Sequence, residues 1–72
     1  MKNQFSERVK QLRKEQHMTL RELANKAEVS FVSLNHYEKG KYLPKVRTIY
    51  KIANALNCDF EELLELVKNE KE

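Results

Sequence analysis

Between Thr19 and Gly40 the apolar residues fall into two short helical sets separated by a brief interruption. Leu20, Leu23, Ala24 and Ala27 share one helix face; the pattern stops at Glu28-Val29 and resumes with Leu34 and Tyr37. A hydroxyl residue stands where each helix begins, Thr19 and then Ser30, and either can accept a backbone N–H as an N-cap. Glu22, three residues after Thr19, completes a capping box. Ala24 decides how the helices meet, because it is small and on the inner face. A bulky residue there would splay the pair. Two short helices joined by about three residues and crossing steeply form a helix-turn-helix unit, whose second helix is suited to the DNA major groove.

The flanking segments read as helices too. The first spans about Asn3 to Gln16, with Phe5, Val9 and Leu12 on one face and Met18 packing at the turn. The third runs from about Ser30 to Lys39, and Gly40 takes the left-handed position after it. Lys41 to Pro44 is the loop before a fourth helix, about Lys45 to Leu56, with Val46, Ile49, Tyr50, Ala53 and Leu56 expected inside. Asn57 suits a second left-handed position, and Asp59 with Glu62 a second capping box. A fifth helix carries Phe60, Leu63, Leu64 and Val67. One Gly and one Pro in 72 residues favour helices over any sheet. The expectation is an all-α domain of five helices over residues 1–68, followed by a polar tail, residues 69–72, that frays.

Charge is distributed unevenly. Residues 1–57 hold 12 Lys or Arg against 5 Glu, net +7; residues 58–72 hold 2 Lys against 6 acids, net −4. A basic body with an acidic end suits a protein that docks on phosphate and keeps its last segment away from it. Arg8, Lys10, Lys14 and Lys26 read as ordinary solvated surface. Cys58 is alone, and with two scattered His it gives no metal-ligand spacing; a reducing cytoplasm and no metal or other cofactor are expected. No 18-residue apolar run is present, so a membrane span is not expected. No nucleophile, carboxylate pair or glycine-rich phosphate loop suggests an enzyme.

Taken in order, Arg8-Val9-Lys10-x-Leu12-Arg13, Met18-Thr19-x-x-Glu22-Leu23-Ala24, Val29-Ser30, Leu34, Glu38-x-Gly40-Lys41, Pro44, Ile52-Ala53-x-Ala55-Leu56 and Phe60-x-Glu62-Leu63-Leu64 resemble the lambda-repressor-like, Cro/C1-type helix-turn-helix family. The resemblance covers about Arg8 to Leu64 and implies the lambda-repressor-like fold. It also implies an ion pair between Arg13 and Glu38 that would fix the angle of the recognition helix. Four departures stand out. Leu20 replaces the Gln that often touches a phosphate at the start of the second helix. Glu28 and His17 occupy positions where the family has Gly, and Lys45 replaces a capping hydroxyl before the fourth helix.

If Ser30 caps the third helix, Leu34 and Tyr37 face the core, and Phe31, Val32, Ser33, Asn35 and His36 face the groove. The resemblance implies that these positions supply most base contacts. Phe31 and Val32 can pack on thymine methyls, Asn35 can pair with adenine, and His36 can donate to guanine or a phosphate. Phe31 folded back onto the domain, or covered by a partner protein, is the competing reading. Thr19, Arg21, Lys39, Lys41, Tyr42 and Arg47 surround that helix as candidate phosphate contacts. The fifth helix carries more apolar residues than one core-facing stripe needs, which nominates Phe60, Leu64 and Val67 for a homodimer interface.

The expected function is a sequence-specific transcriptional regulator of a bacterium or phage, a repressor foremost, binding double-stranded DNA as a homodimer on a palindrome. Restriction–modification controllers and autoregulating antitoxins are related roles that the family implies. A separate regulatory protein is a further expected partner, since no second domain is foreseen to sense a ligand. A protein-interaction module using Phe31, Val32 and Tyr42 is the alternative from another class.

Overall fold

Side-chain caps set the starts of the first three helices in the computed structural model, which describes residues 3–70. Helix α1, Gln4–Glu15, begins at Asn3, whose Oδ1 accepts the Ser6 N–H at 2.7 Å while the Asn3 N–H donates to Ser6 Oγ at 3.0 Å. The Ser6 hydroxyl also donates to the Asn3 carbonyl at 2.8 Å, so this fully buried hydroxyl is satisfied. Helix α2, Leu20–Ala27, begins with the reciprocal bonds of Thr19 and Glu22, at 3.0 and 2.8 Å. Helix α3, Phe31–Glu38, begins where Ser30 Oγ accepts the Ser33 N–H at 2.9 Å. Helix α4, Val46–Leu56, starts at Lys45 with no side-chain cap, and α5 spans Phe60–Glu70.

The helix ends share one device. After each of α1 to α4 one residue turns left-handed: His17 (φ 57°), Glu28 (φ 59°), Gly40 (φ 76°) and Asn57 (φ 56°). The next N–H then bonds back into the last turn, as Met18 to the Arg13 carbonyl, Val29 to Ala24, Lys41 to His36 and Cys58 to Ala53, at 3.0–3.1 Å. Gly40 does this without steric cost, and Asn57 at little. For His17 and Glu28 the conformation costs about 1–2 kcal/mol each, partly offset by the smaller entropy that a non-Gly residue loses on folding. His17→Gly and Glu28→Gly should therefore each stabilise the domain by about 0.5–1 kcal/mol. Thermal unfolding should show each as a rise of a few degrees; unchanged or lower midpoints would contradict this account.

The core is a single cluster: Phe5 and Val9 of α1, Leu23, Ala24 and Ala27 of α2, Leu34 of α3, five residues of α4, and Leu63 and Val67 of α5. Helix α4 packs on α2 and α5, while α1 packs on α3 and α5. Ala24 is buried in the core, and α2 packs against α3.

Three expectations change. Val46 and Tyr50 are 58% and 54% exposed, while Ile52 and Ala55 are buried. The inner face of α4 is turned toward Ile52, which leaves Tyr50 about 100° from Ile49 on the open side. Asp59 and Glu62 form no capping box: Asp59 Oδ1 accepts the Glu61 N–H at 3.2 Å, and Glu62 instead takes Arg8 Nε at 2.7 Å. Arg8 is thus a tether between α1 and α5 rather than free surface. Asn69 and Glu70 of the expected tail lie in the last turn of α5, and Glu70 Oε2 accepts the Gln4 N–H at 3.1 Å. The last two positions of the proposed tail lie outside the described residues.

Arg13 of α1 and Glu38 at the end of α3 meet in a two-point pair, Nε to Oε2 at 2.7 Å and Nη2 to Oε1 at 3.0 Å. Arg13 Nη1 also donates to the Met18 carbonyl at 2.8 Å. One guanidinium therefore joins α1, the turn after it and the C-terminal end of α3.

Candidate nucleic-acid interface

Helix α3 lies with Leu34 in the core and its first turn toward solvent. Val32 is 61% exposed and stands furthest out. Ser33, Asn35 and His36 are half-buried beside it. Phe31 is also half-buried, and the Arg21 guanidinium lies 4.3 Å from its ring centroid. A cation over the face of an aromatic ring is held there by the ring's quadrupole. Part of Phe31 therefore faces its own domain, and Arg21 is drawn to the mouth of the α2–α3 unit rather than left loose.

The opposite end of α3 is closed by aromatic residues. Tyr42 lies edge-on to Tyr37 with ring centroids 5.4 Å apart, and edge-on to His36 at 5.3 Å. The Tyr42 hydroxyl is 2.9 Å from His36 Nδ1. Partial burial, with Tyr42 adding to it, raises the Tyr37 hydroxyl above its ordinary pKa against the opposing hydrogen bond to Thr48. That phenol is neutral at physiological pH. Nothing in the residue pattern announced the His36–Tyr42 pair. The left-handed Gly40, which returns the chain toward α3, was the available signal.

Among the proposed phosphate contacts, Thr19, Arg21, Lys39, Lys41, Tyr42 and Arg47 are all exposed. Arg21 and Tyr42 are the two with ring partners on or beside α3. Lys51 adds a cation near the α2–α3 turn, its Nζ 3.5 Å from the Glu28 carbonyl, which suits the negative end of α2. Cys58 is half-buried; burial and then the Glu62 carboxylate push its thiol up, with Arg8 opposing, so it stays protonated and unreactive. Among the described residues, no His, Cys, Asp and Glu side chains gather to hold a metal, and no helix is long and apolar enough to cross a membrane.

A model of the helix-turn-helix family matches residues 9–63. An uncharacterized HTH-type transcriptional regulator of Archaeoglobus fulgidus is 41% identical over 56 residues, covering 78% of this chain and 80% of the relative. The chain belongs to the helix-turn-helix family. Among solved structures, the N-terminal DNA-binding domain of SinR from Bacillus subtilis is 33% identical with a TM-score of 0.79, over 83% of this chain and 88% of that one. SinR solved in complex with DNA gives the same TM-score of 0.79 at 33% identity, over 83% of this chain and 97% of that one.

This helix-turn-helix protein is a DNA-binding transcriptional regulator of the Cro/C1 type, with α2 and α3 as the two helices of the motif. Leu20, where the family often carries Gln, is half-buried and packs against the core. The first position of α2 thus contributes to stability in this member of the family, and Thr19 and Arg21 are the polar groups on either side of it.

The surface expected to dimerise has a different shape from the one the sequence suggests. Val67 is 2% exposed and belongs to the core, and Phe60 is half-buried with its ring edge-on to Tyr50 at 5.8 Å. Leu64 remains half-open. With Pro44, exposed Val46, Ile49 and Val67 it lines an apolar groove of about 420 Å³, and Lys45 and Lys68 stand at its edge.

Proposed function

We propose that this chain is a repressor that binds a palindromic operator as a homodimer in the cytoplasm, each copy laying α3 in the major groove. The observation that carries this is the outward first turn of α3, with Val32 leading and Ser33, Asn35 and His36 beside it. Val32 has no hydrogen-bonding group, so its natural partner on a base edge is the thymine methyl, while Asn35 suits adenine. Phe31, partly covered by Arg21, contributes its free edge to the same apolar contact. Thr19, Arg21, Lys39, Lys41 and Arg47 anchor the flanking phosphates.

One domain offers too few contacts for specific binding at cellular salt, which favours a dimer. A two-fold dimer would present its two α3 helices to half-sites one turn of the duplex apart, roughly 34–36 Å. The groove beside Leu64 and Val46 is the surface we assign to the partner copy.

Selection of bound sequences from a random DNA pool tests the reading directly. A palindrome with T·A pairs under the start of α3 is expected; no enriched sequence would overturn it. Val32→Ala should weaken the selected site more than random DNA. Lys41→Ala and Arg47→Ala should instead weaken both alike, each reducing the log–log salt slope by about 0.9. Unchanged slopes would remove those two cations from the backbone contacts.

A further inference from the structure

The loop that leaves α3 is tied back onto that helix through one side chain. Gly40 reverses the chain at φ 76°, and Tyr42 lies two residues beyond it. The Tyr42 hydroxyl meets His36 Nδ1 at 2.9 Å, and its ring meets those of His36 and Tyr37 edge to face at 5.3 and 5.4 Å. Tyr37 is anchored in turn, packed against the core. His36 is therefore a side chain of the recognition helix whose inner nitrogen is engaged and whose ring is held on one edge. Among the described residues no protein group takes its Nε2.

We propose that Tyr42 is a positioning residue for base reading: its hydroxyl donates to His36 Nδ1, places the ring proton on Nε2, and sets that N–H as a fixed donor toward the groove. A phenol O–H is a better donor than an imidazole N–H, and an imidazole nitrogen is a better acceptor than a phenol oxygen. The pair is consequently stronger with Tyr42 donating. Which nitrogen of a histidine carries the proton follows from the bond made by the other. With hydrogen on Nε2 the neutral ring offers a donor and no acceptor. It then favours the acceptors of the major groove, guanine O6 and N7, adenine N7 and thymine O4, and rejects the amino groups of cytosine and adenine. Holding the ring beforehand also removes part of the ordering cost of the contact.

The inference rests on α3 being the helix that reads the groove. It also takes Tyr42 out of the phosphate-anchoring set in which the sequence placed it. The two possibilities differ in what Tyr42→Phe should do. A phosphate anchor acts on every sequence; a residue that acts through His36 acts at one base pair.

Two measurements test it. In the free protein, nitrogen-15 spectra of the histidine rings should show His36 as the Nε2–H form, its Nδ1 signal displaced from that of exposed His17 by the phenol bond. Tyr42→Phe, which keeps the ring and removes the hydroxyl, should move His36 toward His17. A proton on Nδ1, or a His36 spectrum indifferent to the substitution, would overturn the assignment without reference to DNA. On the selected operator and its single-base variants, Tyr42→Phe should reduce discrimination on the order of tenfold at the base pair that His36→Ala relaxes, with the salt slope unchanged. In a His36→Ala background it should add nothing. Equal weakening of all sequences with a lower salt slope would make Tyr42 a phosphate anchor and refute the inference while leaving operator recognition intact. A chain that prefers no sequence would sink the parent reading, and this one with it.

Discussion

Glu38→Leu alone should destabilise the domain by about 3–5 kcal/mol, the cost of leaving a buried charge without its partner. Glu38 is 4% exposed, and both of its carboxylate oxygens are bonded to Arg13, at 2.7 and 3.0 Å. Removing it strands a guanidinium that keeps only the Met18 carbonyl, at 2.8 Å. For a chain of 72 residues the whole stability is roughly 4–11 kcal/mol, so the loss is a large share of it. Arg13→Met should cost a similar amount by orphaning the more deeply buried carboxylate. The double substitution, Arg13→Met with Glu38→Leu, should cost far less than the sum, because no unpaired charge remains. Urea unfolding of the three variants measures this. Single losses below about 1 kcal/mol would put the pair among ordinary surface ion pairs, as the more open Arg8–Glu62 contact is. A second consequence is functional: the C-terminal end of α3 loses its tether to α1, so specific DNA binding should fall even in the fraction that stays folded.

Local chemistry was the part of this fold most open to reading in the sequence. Thr19 with Glu22, Ser30, Gly40 and Asn57 each act within a few residues of themselves, so spacing alone predicts their bonds. Glu28 and His17 adopt the left-handed conformation despite lacking the glycine that would favour it, because the flanking helices over-determine the turn. Competition across the fold is what spacing cannot show. Glu62 stands at the right distance from Asp59, yet the nearby Arg8 guanidinium takes its carboxylate. The inner face of α4 depends on how α2 and α5 share it, which is why Tyr50 and Val46 turned outward while Ala55 turned in. In the candidate interface, the α3 positions followed from one cap residue and helical geometry. The ring contacts of Arg21 with Phe31 and of Tyr42 with His36 join residues whose approach is set by the angle between α2 and α3 and by the turn at Gly40.

Closing the groove beside Leu64 to a partner should weaken operator binding by about 10²–10⁴-fold, the range by which linking two modules exceeds either alone. Val46→Glu is the cleaner substitution. Val46 is 58% exposed in the single copy and opens α4, where a carboxylate is favoured by the helix dipole. The isolated domain should therefore keep its helicity and its unfolding midpoint. In an isologous dimer the substitution enters the seam twice, once from each copy, so two carboxylates would be buried in an apolar seam. Sedimentation should shift to the monomer, and binding to a palindrome should change from one cooperative step to two weak independent ones. Leu64→Glu should do the same at some cost in stability, because Leu64 also covers the core. A single half-site separates this effect from damage to α3: Val46→Glu and wild type should bind it equally. If the wild-type chain stays monomeric at high concentration and on the palindrome, the groove is not a dimer contact, and each copy reads its half-site alone.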